Sequence, residues 1–288
     1  MNDLVQLAAG TVSMRPYVFA FFAAYLIASV PHLGWKRVSV FTFLGYLTAF
    51  ASELSSINTG FPYGWYYYID RTSSQELWIA GVPFFDSLSY VFLCYCSYAT
   101  ALFILSPLKS TSKNLILLET LSIRRSVSVL FLGSLLQTYL DIIIDPVALQ
   151  GRHWFLGEIY GYREAGYHFG VPLTNYAGWF IVSGLMIFLL QRLAGRRELR
   201  TIPPAGVCSF PGSSLFPVLL YLSVIIFNLV IAIRINQMTM AISGFFVMLL
   251  PVSMSIILAT RRVNRYSREE LAEHLRDFPW SAAGTAKR

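Results

Sequence analysis

The segment Asp141-Ile142-Ile143-Ile144-Asp145-Pro146 sets two carboxyl groups four residues apart inside an apolar run. On a helix that spacing brings both to one face. In a poorly solvated site two neighbouring carboxyls resist full ionisation together, so one of them keeps a proton near neutral pH. A retained proton is what general-acid catalysis requires. Pro146 biases Asp145 away from the helical region, so a helix that breaks there and weakens the pair is also open. An Asp-xxx-Asp pair suits Mg²⁺ held against a diphosphate as well. Such chemistry draws on a second acidic cluster, and Glu53 and Asp86 are not spaced as one.

Glu53 and Asp86 nevertheless belong to the same pattern. Glu53 follows Arg37 by sixteen residues, and Asp141 follows Arg125 by sixteen. Further on, Gly81-Val82-Pro83-Phe84-Phe85-Asp86 and Gly170-Val171-Pro172-Leu173-Thr174-Asn175 each open an apolar run, 28 and 29 residues after the acid. An internal duplication of a helix-loop-helix unit is one account of this match. Depth does not depend on it. Sixteen residues at a 1.5 Å rise climb about 24 Å of a hydrocarbon core about 30 Å thick. Asp86 and Asn175 enter from the far face about one turn deep, behind prolines at first-turn positions. All four groups then reach one level, where polar side chains in a membrane default to function. The alternative is that they cap helices or pair with Arg71, Arg152 or Arg163.

Above that level lie two loops rich in rings, containing Trp65, Tyr66, Tyr67 and Tyr68 and then Trp154, Tyr160, Tyr162 and Tyr167. An interfacial aromatic belt accounts for them; a subset flanking an elongated apolar substrate and steadying a cation is the functional alternative. His168 reads as an interfacial side chain or a proton shuttle. His32 and His153 have no partner in sequence. Glu158 and Glu164 read as loop ion pairs with Arg152 and Arg163.

The elements that must hold these groups follow from composition. Of 288 residues 56% are hydrophobic and 13% charged, with mean hydropathy +0.57, against about 25% charged in a soluble domain. This excludes a disordered chain, a disulfide scaffold and most soluble enzymes. Seven segments are long and apolar enough to span a bilayer, near 16–34, 38–56, 82–105, 126–148, 172–191, 215–233 and 238–260. The expected fold is an all-α polytopic membrane helix bundle of seven transmembrane helices in residues 1–262. A cytoplasmic tail, 263–288, carries one short helix opened by the capping box Ser267-Arg268-Glu269-Glu270. Trp35-Lys36-Arg37 is read as a tight turn. The first apolar run is long enough to span, so no cleavable signal peptide is expected.

Charge then sets orientation. With the N-terminus outside, seventeen of the 22 Lys and Arg residues fall on the cytoplasmic side. The expectation is therefore N-out and C-in in the cell membrane. The net charge of +7 is thus a mark of topology, and no nucleic-acid partner is implied. Cys94, Cys96 and Cys208 lack metal-ligand spacing and read as small buried apolar residues.

Leu140-Asp141, Asp145-Pro146-Val147-Ala148, Trp154 and Tyr167 through Phe180, with Phe61 through Tyr68 and Gly81-Val82-Pro83, resemble the integral-membrane carotenoid biosynthesis family. The likeness covers roughly residues 40–260 and is most specific over 139–180. That family includes cofactor-free carotenoid 1′,2′-hydratases acting on γ-carotene-like and bacterioruberin-type acyclic ends. The resemblance implies a lipid-soluble carotenoid substrate (γ-carotene, lycopene or a bacterioruberin-type precursor) within membrane lipid, and no cofactor or metal. Oligomeric state is not implied. Chemistry assigns the roles: Asp141 and Asp145 as the acid, Glu53 or Asp86 to position water, and Asn175 as a neutral hydrogen-bonding partner. Trp65, Tyr66, Trp154, His168 and Trp179 are expected near substrate, and Gly178 is expected to let the polyene approach the backbone. Other readings are a membrane prenyltransferase, a carotenoid cyclase or isomerase, and a non-catalytic carotenoid-binding subunit.

Overall fold

The computed structural model describes residues 2–111, 114–195, 203–208, 210, 212–281 and 283. Lys113, Arg196, Arg197, Arg200, Lys287 and Arg288, all counted in the charge argument, lie outside them. An N-terminal helix that the sequence reading did not anticipate, α1 (Asn2–Met14), precedes α2 (Pro16–Leu33), α3 (Trp35–Thr59) and α4 (Phe84–Leu105). A single turn, α5 (Leu121–Arg124), leads to α6 (Val127–Ala148), α7 (Leu173–Ala194), α8 (Phe216–Arg234), α9 (Met238–Arg262) and the tail helix α10 (Arg268–Asp277). Seven of these, α2–α4 and α6–α9, are long and apolar enough to cross a bilayer. The chain is a multi-pass membrane helix bundle.

Local chemistry sets the ends of these helices. Pro16 stands in the first turn of α2, where its missing N–H loses nothing. Ser126 caps α6 by accepting from the Val129 N–H. The turn between α2 and α3 is narrower than expected: Gly34 alone makes it at φ +82°, and Trp35-Lys36-Arg37 is already the first turn of α3. Pro146 does not break α6, which runs on to Ala148. Membrane helices tolerate such prolines where neighbouring groups satisfy the freed backbone.

Helix α4 is the axis of the bundle, buried almost continuously from Phe85 to Ile104. Around it α2, α3, α6, α7 and α8 each turn one face inward. Their outer faces carry exposed apolar residues such as Phe43, Phe131, Ile181 and Ile226, as expected where the solvent is lipid. Cys94 and Cys96 are buried in α4, whereas Cys208 is exposed, against the expectation for it.

Three two-stranded antiparallel sheets lie outside the helices. They pair β1 (Tyr66–Tyr68) with β6 (Tyr160–Tyr162), β2 (Trp78–Ile79) with β3 (Val82–Pro83), and β4 (Leu108–Ser110) with β5 (Leu115–Leu117). The first joins the two long aromatic loops at one end of the bundle. At the other end, α10 starts in the expected capping box, with Ser267 Oγ accepting from the Glu270 N–H. It docks on the connection after β5, where Asp277 Oδ2 accepts from the Leu121 N–H and His274 Nδ1 meets the Glu119 carbonyl.

Candidate active site

Because α6 continues past Asp145, Asp141 and Asp145 do share one face. Asn175, in the first turn of α7, bridges them. Its Nδ2 donates to Asp141 Oδ2 at 2.7 Å and to Asp145 Oδ2 at 3.0 Å. Asp145 has two further donors, the Tyr160 hydroxyl to Oδ1 and the Tyr162 hydroxyl to Oδ2, the latter at 2.6 Å. Asp141 Oδ1 is buried and has no hydrogen-bond partner among the described residues. The two carboxyls are therefore not equivalent: one is saturated and the other has an open oxygen.

The tyrosines come from the β1–β6 sheet. Its register sets Tyr66 opposite Tyr162 and Tyr68 opposite Tyr160, so the period of two turns all four rings to one face. Tyr67, on the other face, is 48% exposed. Tyr68 donates to Asp86 Oδ2 at 2.7 Å, and Ser87 donates to Glu53 Oε2. Burial, reinforced by the nearby Asp145 carboxylate, pushes the Tyr160 and Tyr162 phenols well above their ordinary range. Both remain protonated donors.

Glu53, Asp86, Asp141, Asp145 and Asn175 all line one cavity of about 140 Å³. The remaining lining is mostly rings and aliphatic side chains, among them Tyr66, Trp154 and Trp179. Trp179 stacks on Tyr90 with centroids 4.0 Å apart, and Trp154 donates its indole N–H to the Val147 carbonyl at 3.1 Å. The structure thus gathers the four acids and Asn175 under the tyrosine sheet.

Three expected neighbours of substrate stand elsewhere. Trp65 is 44% exposed, with the Arg163 guanidinium 4.3 Å over its ring. His168 is hydrogen-bonded to the Tyr176 hydroxyl at 2.5 Å, and partial burial lowers its pKa. Gly178 faces the Pro62 carbonyl oxygen, 2.6 Å from where a Cβ would stand, so loop backbone already occupies that approach. The expected loop pairs also differ. Arg71 pairs with Glu158 at 2.9 Å, Arg152 donates to His153, and Arg163 stacks as described, so these arginines are engaged away from the four acids.

Arg15 and Asn228 were not singled out from sequence, and Tyr160 and Tyr162 were read there only as loop aromatics. Arg15, fully buried, makes two hydrogen bonds to Glu76, at 2.9 and 2.8 Å, and a third to the Leu156 carbonyl. Asn228 of α8 lines the cavity opposite the acids' helix. Tyr160 and Tyr162 carried a usable signal, the alternation Tyr-Gly-Tyr matching Tyr66-Tyr67-Tyr68. Among the described residues, no three His, Cys, Asp or Glu side chains gather as a metal site would require.

Comparison with known proteins narrows what this site serves. A family model described as carotenoid biosynthesis protein matches residues 13–251. A curated relative named bisanhydrobacterioruberin hydratase, from Haloarcula japonica, is 26% identical over 201 residues, covering 67% of this chain and 60% of its own length. No solved structure matches the chain. The family match runs through all four acids and all four tyrosines of the site, and the chain belongs to the carotenoid biosynthesis protein family.

Proposed function

We propose that this protein is a cofactor-independent hydratase that adds water across the C1′,2′ double bond of an acyclic carotenoid end. The observation that carries the reading is the unequal carboxyl pair. Hydrating a trisubstituted alkene needs a proton delivered to C2′, a tertiary cation tolerated at C1′, and a water held to attack it. Asp145 is engaged by three donors and serves as the fixed, negatively charged partner. Asp141, which lines the cavity and keeps an unpartnered Oδ1, is the proton donor. As the proton leaves, Asn175 keeps both carboxyls in place.

The aromatic lining supplies ring faces to the cation, each such contact worth about 0.5–2 kcal/mol or more once desolvated. Glu53 and Asp86, held by Ser87 and Tyr68, position the water and take up its proton after attack. One acid gives up a proton and another takes one up, the proton returns to Asp141 before the next turnover, and no redox partner is required. The name of the Haloarcula japonica relative supports hydration as the reaction. The charge split supports an N-out, C-in orientation in the cell membrane, with residues 1–262 as the membrane domain and 263–288 as the tail.

The test is to express the chain in a host that accumulates lycopene or γ-carotene and to weigh the pigment. A pigment heavier by one water is expected. Isomerised or cyclised pigment of unchanged mass would mean that the cation loses a proton instead of gaining water. A gain of a prenyl unit that EDTA abolishes would point to diphosphate chemistry. Pigment that co-purifies unchanged would point to a binding subunit.

A further inference from the structure

The cavity is smaller than the molecule it is proposed to serve. At about 140 Å³ it has room for an end group, whereas an acyclic carotenoid is comparable in length to the hydrocarbon core, about 30 Å. The rest of the chain must leave through a wall. On one side α4 closes the cavity with Tyr90, Phe92 and Leu93, each at most 4% exposed. Asn175 bonds α7 to α6, and the Tyr90–Trp179 stack joins α7 to α4. Above, the tyrosine sheet forms the roof.

The wall between α2 and α8 is different. Val18 and Val224 are buried there, but Tyr17 and Phe21 of α2 and Phe227 of α8 also line the cavity and are only half-buried. Phe227 is the hub. It stacks on Tyr17 with centroids 5.4 Å apart at 15°, and meets Phe21 edge-on at 5.7 Å. Trp154 and Phe155 of the loop after α6 pack on both Tyr17 and Phe227, and Phe155, the outer of these rings, is 56% exposed. Flanking Phe227 on α8, Ile226 and Val230 are 60% and 44% exposed and face the lipid side. Among the described residues no hydrogen bond joins α2 to α8, so this panel parts by separating ring pairs, worth about 0.5–1.5 kcal/mol each.

We infer that an extended apolar polyene enters from the bilayer through the α2–α8 seam and remains threaded there. Tyr17, Phe21 and Phe227 form the subsite that grips the chain where it crosses from cavity to lipid. Flat rings suit a flat conjugated chain, which offers no polar group to bind. This inference rests on the carotenoid reading of the site but not on hydration.

The test uses the full chain with Tyr17→Cys, Phe227→Cys and Cys208→Ser, reconstituted in liposomes containing lycopene. The initial rate of pigment uptake per protein is read by absorbance before treatment with a short reducible bis-methanethiosulfonate, after it, and after reduction. Uptake is expected to fall about tenfold on cross-linking, equivalent to a barrier raised by ~1.4 kcal/mol, and to recover on reduction. Uptake unaffected by the cross-link overturns the seam. Phe227→Trp provides a second arm that opens no void: slower uptake is expected, and the wild-type rate contradicts the subsite. Because pigment binding is the readout, uptake that responds as expected without hydrated product counts against the reaction and leaves the seam standing.

Discussion

One amide nitrogen makes the difference between two isolated aspartates and a pair. Asn175 holds Asp141 and Asp145 together, and the phenols of Tyr160 and Tyr162 complete Asp145 alone. Replacing the proton donor should therefore outweigh replacing a phenol. Asp141→Asn is expected to lower turnover by about 10²–10⁴-fold, the range of a lost general acid, with folded protein retained. Tyr162→Phe removes one of three donors to Asp145 and is expected to lower it about tenfold, a change of ~1.4 kcal/mol. Turnover assays on the two variants, normalised to folded protein, check both; full activity in Asp141→Asn would remove the proposed acid. The acids themselves were legible in the sequence, because a carboxyl inside an apolar run is conspicuous. Their donors were not, because Tyr160 and Tyr162 reach Asp145 only after the chain folds back as a strand, and loop tyrosines otherwise read as a belt.

At the scale of elements, two buried polar clusters fix what surrounds the bundle. Arg15 ties the start of α2 to the loop residue Glu76 and to the Leu156 carbonyl, with both charged side chains at most 1% exposed. Removing one partner leaves an uncompensated buried charge. Arg15→Ala is expected to destabilise the fold by about 3–5 kcal/mol, read as a lower thermal midpoint in detergent; an unchanged midpoint contradicts this. At the opposite end Arg124 and His32 hold Glu119 well below the usual carboxylate range, although burial alone would raise it.

His274, which fastens α10 to that region, has its pKa lowered by burial. Its unfolded value is about 6.5, so the undocked state binds the proton more readily and docking weakens as pH falls below about 6.5. A nitroxide at Ala272→Cys should gain mobility over that interval. Mobility that stays flat from about pH 8 to about pH 5 contradicts the assignment. Span length was readable from hydropathy, and all seven spans stand within a few residues of their expected bounds. The strands were not readable, since segments of two or three residues carry no detectable period. The break left open at Pro146 does not occur, because a preference of one residue yields to the bilayer's demand for continuous backbone pairing.

Across the whole molecule, the two aromatic loops meet above one cavity. β1 and β6, each following an acid-bearing helix, pair antiparallel with each other, and Glu53, Asp86, Asp141 and Asn175 all reach the cavity beneath them. The matched spacing in sequence pointed to the depth of these groups but not to the close pairing of their loops, which depends on long-range register. The orientation proposed from charge has its own check. Cys208, exposed and on the side of the basic loops, should react with an impermeant maleimide only after the membrane is opened; labelling of intact cells reverses the topology.

The central claim is that water itself is added at an acid-activated end group. It is tested most directly with the purified protein in liposomes containing lycopene, prepared in water enriched in heavy oxygen without added cofactor. The expected product is heavier than lycopene by one molecule of that water, with the heavy oxygen retained in a new tertiary alcohol. A product of unchanged mass, or one whose oxygen does not come from the water, would contradict it.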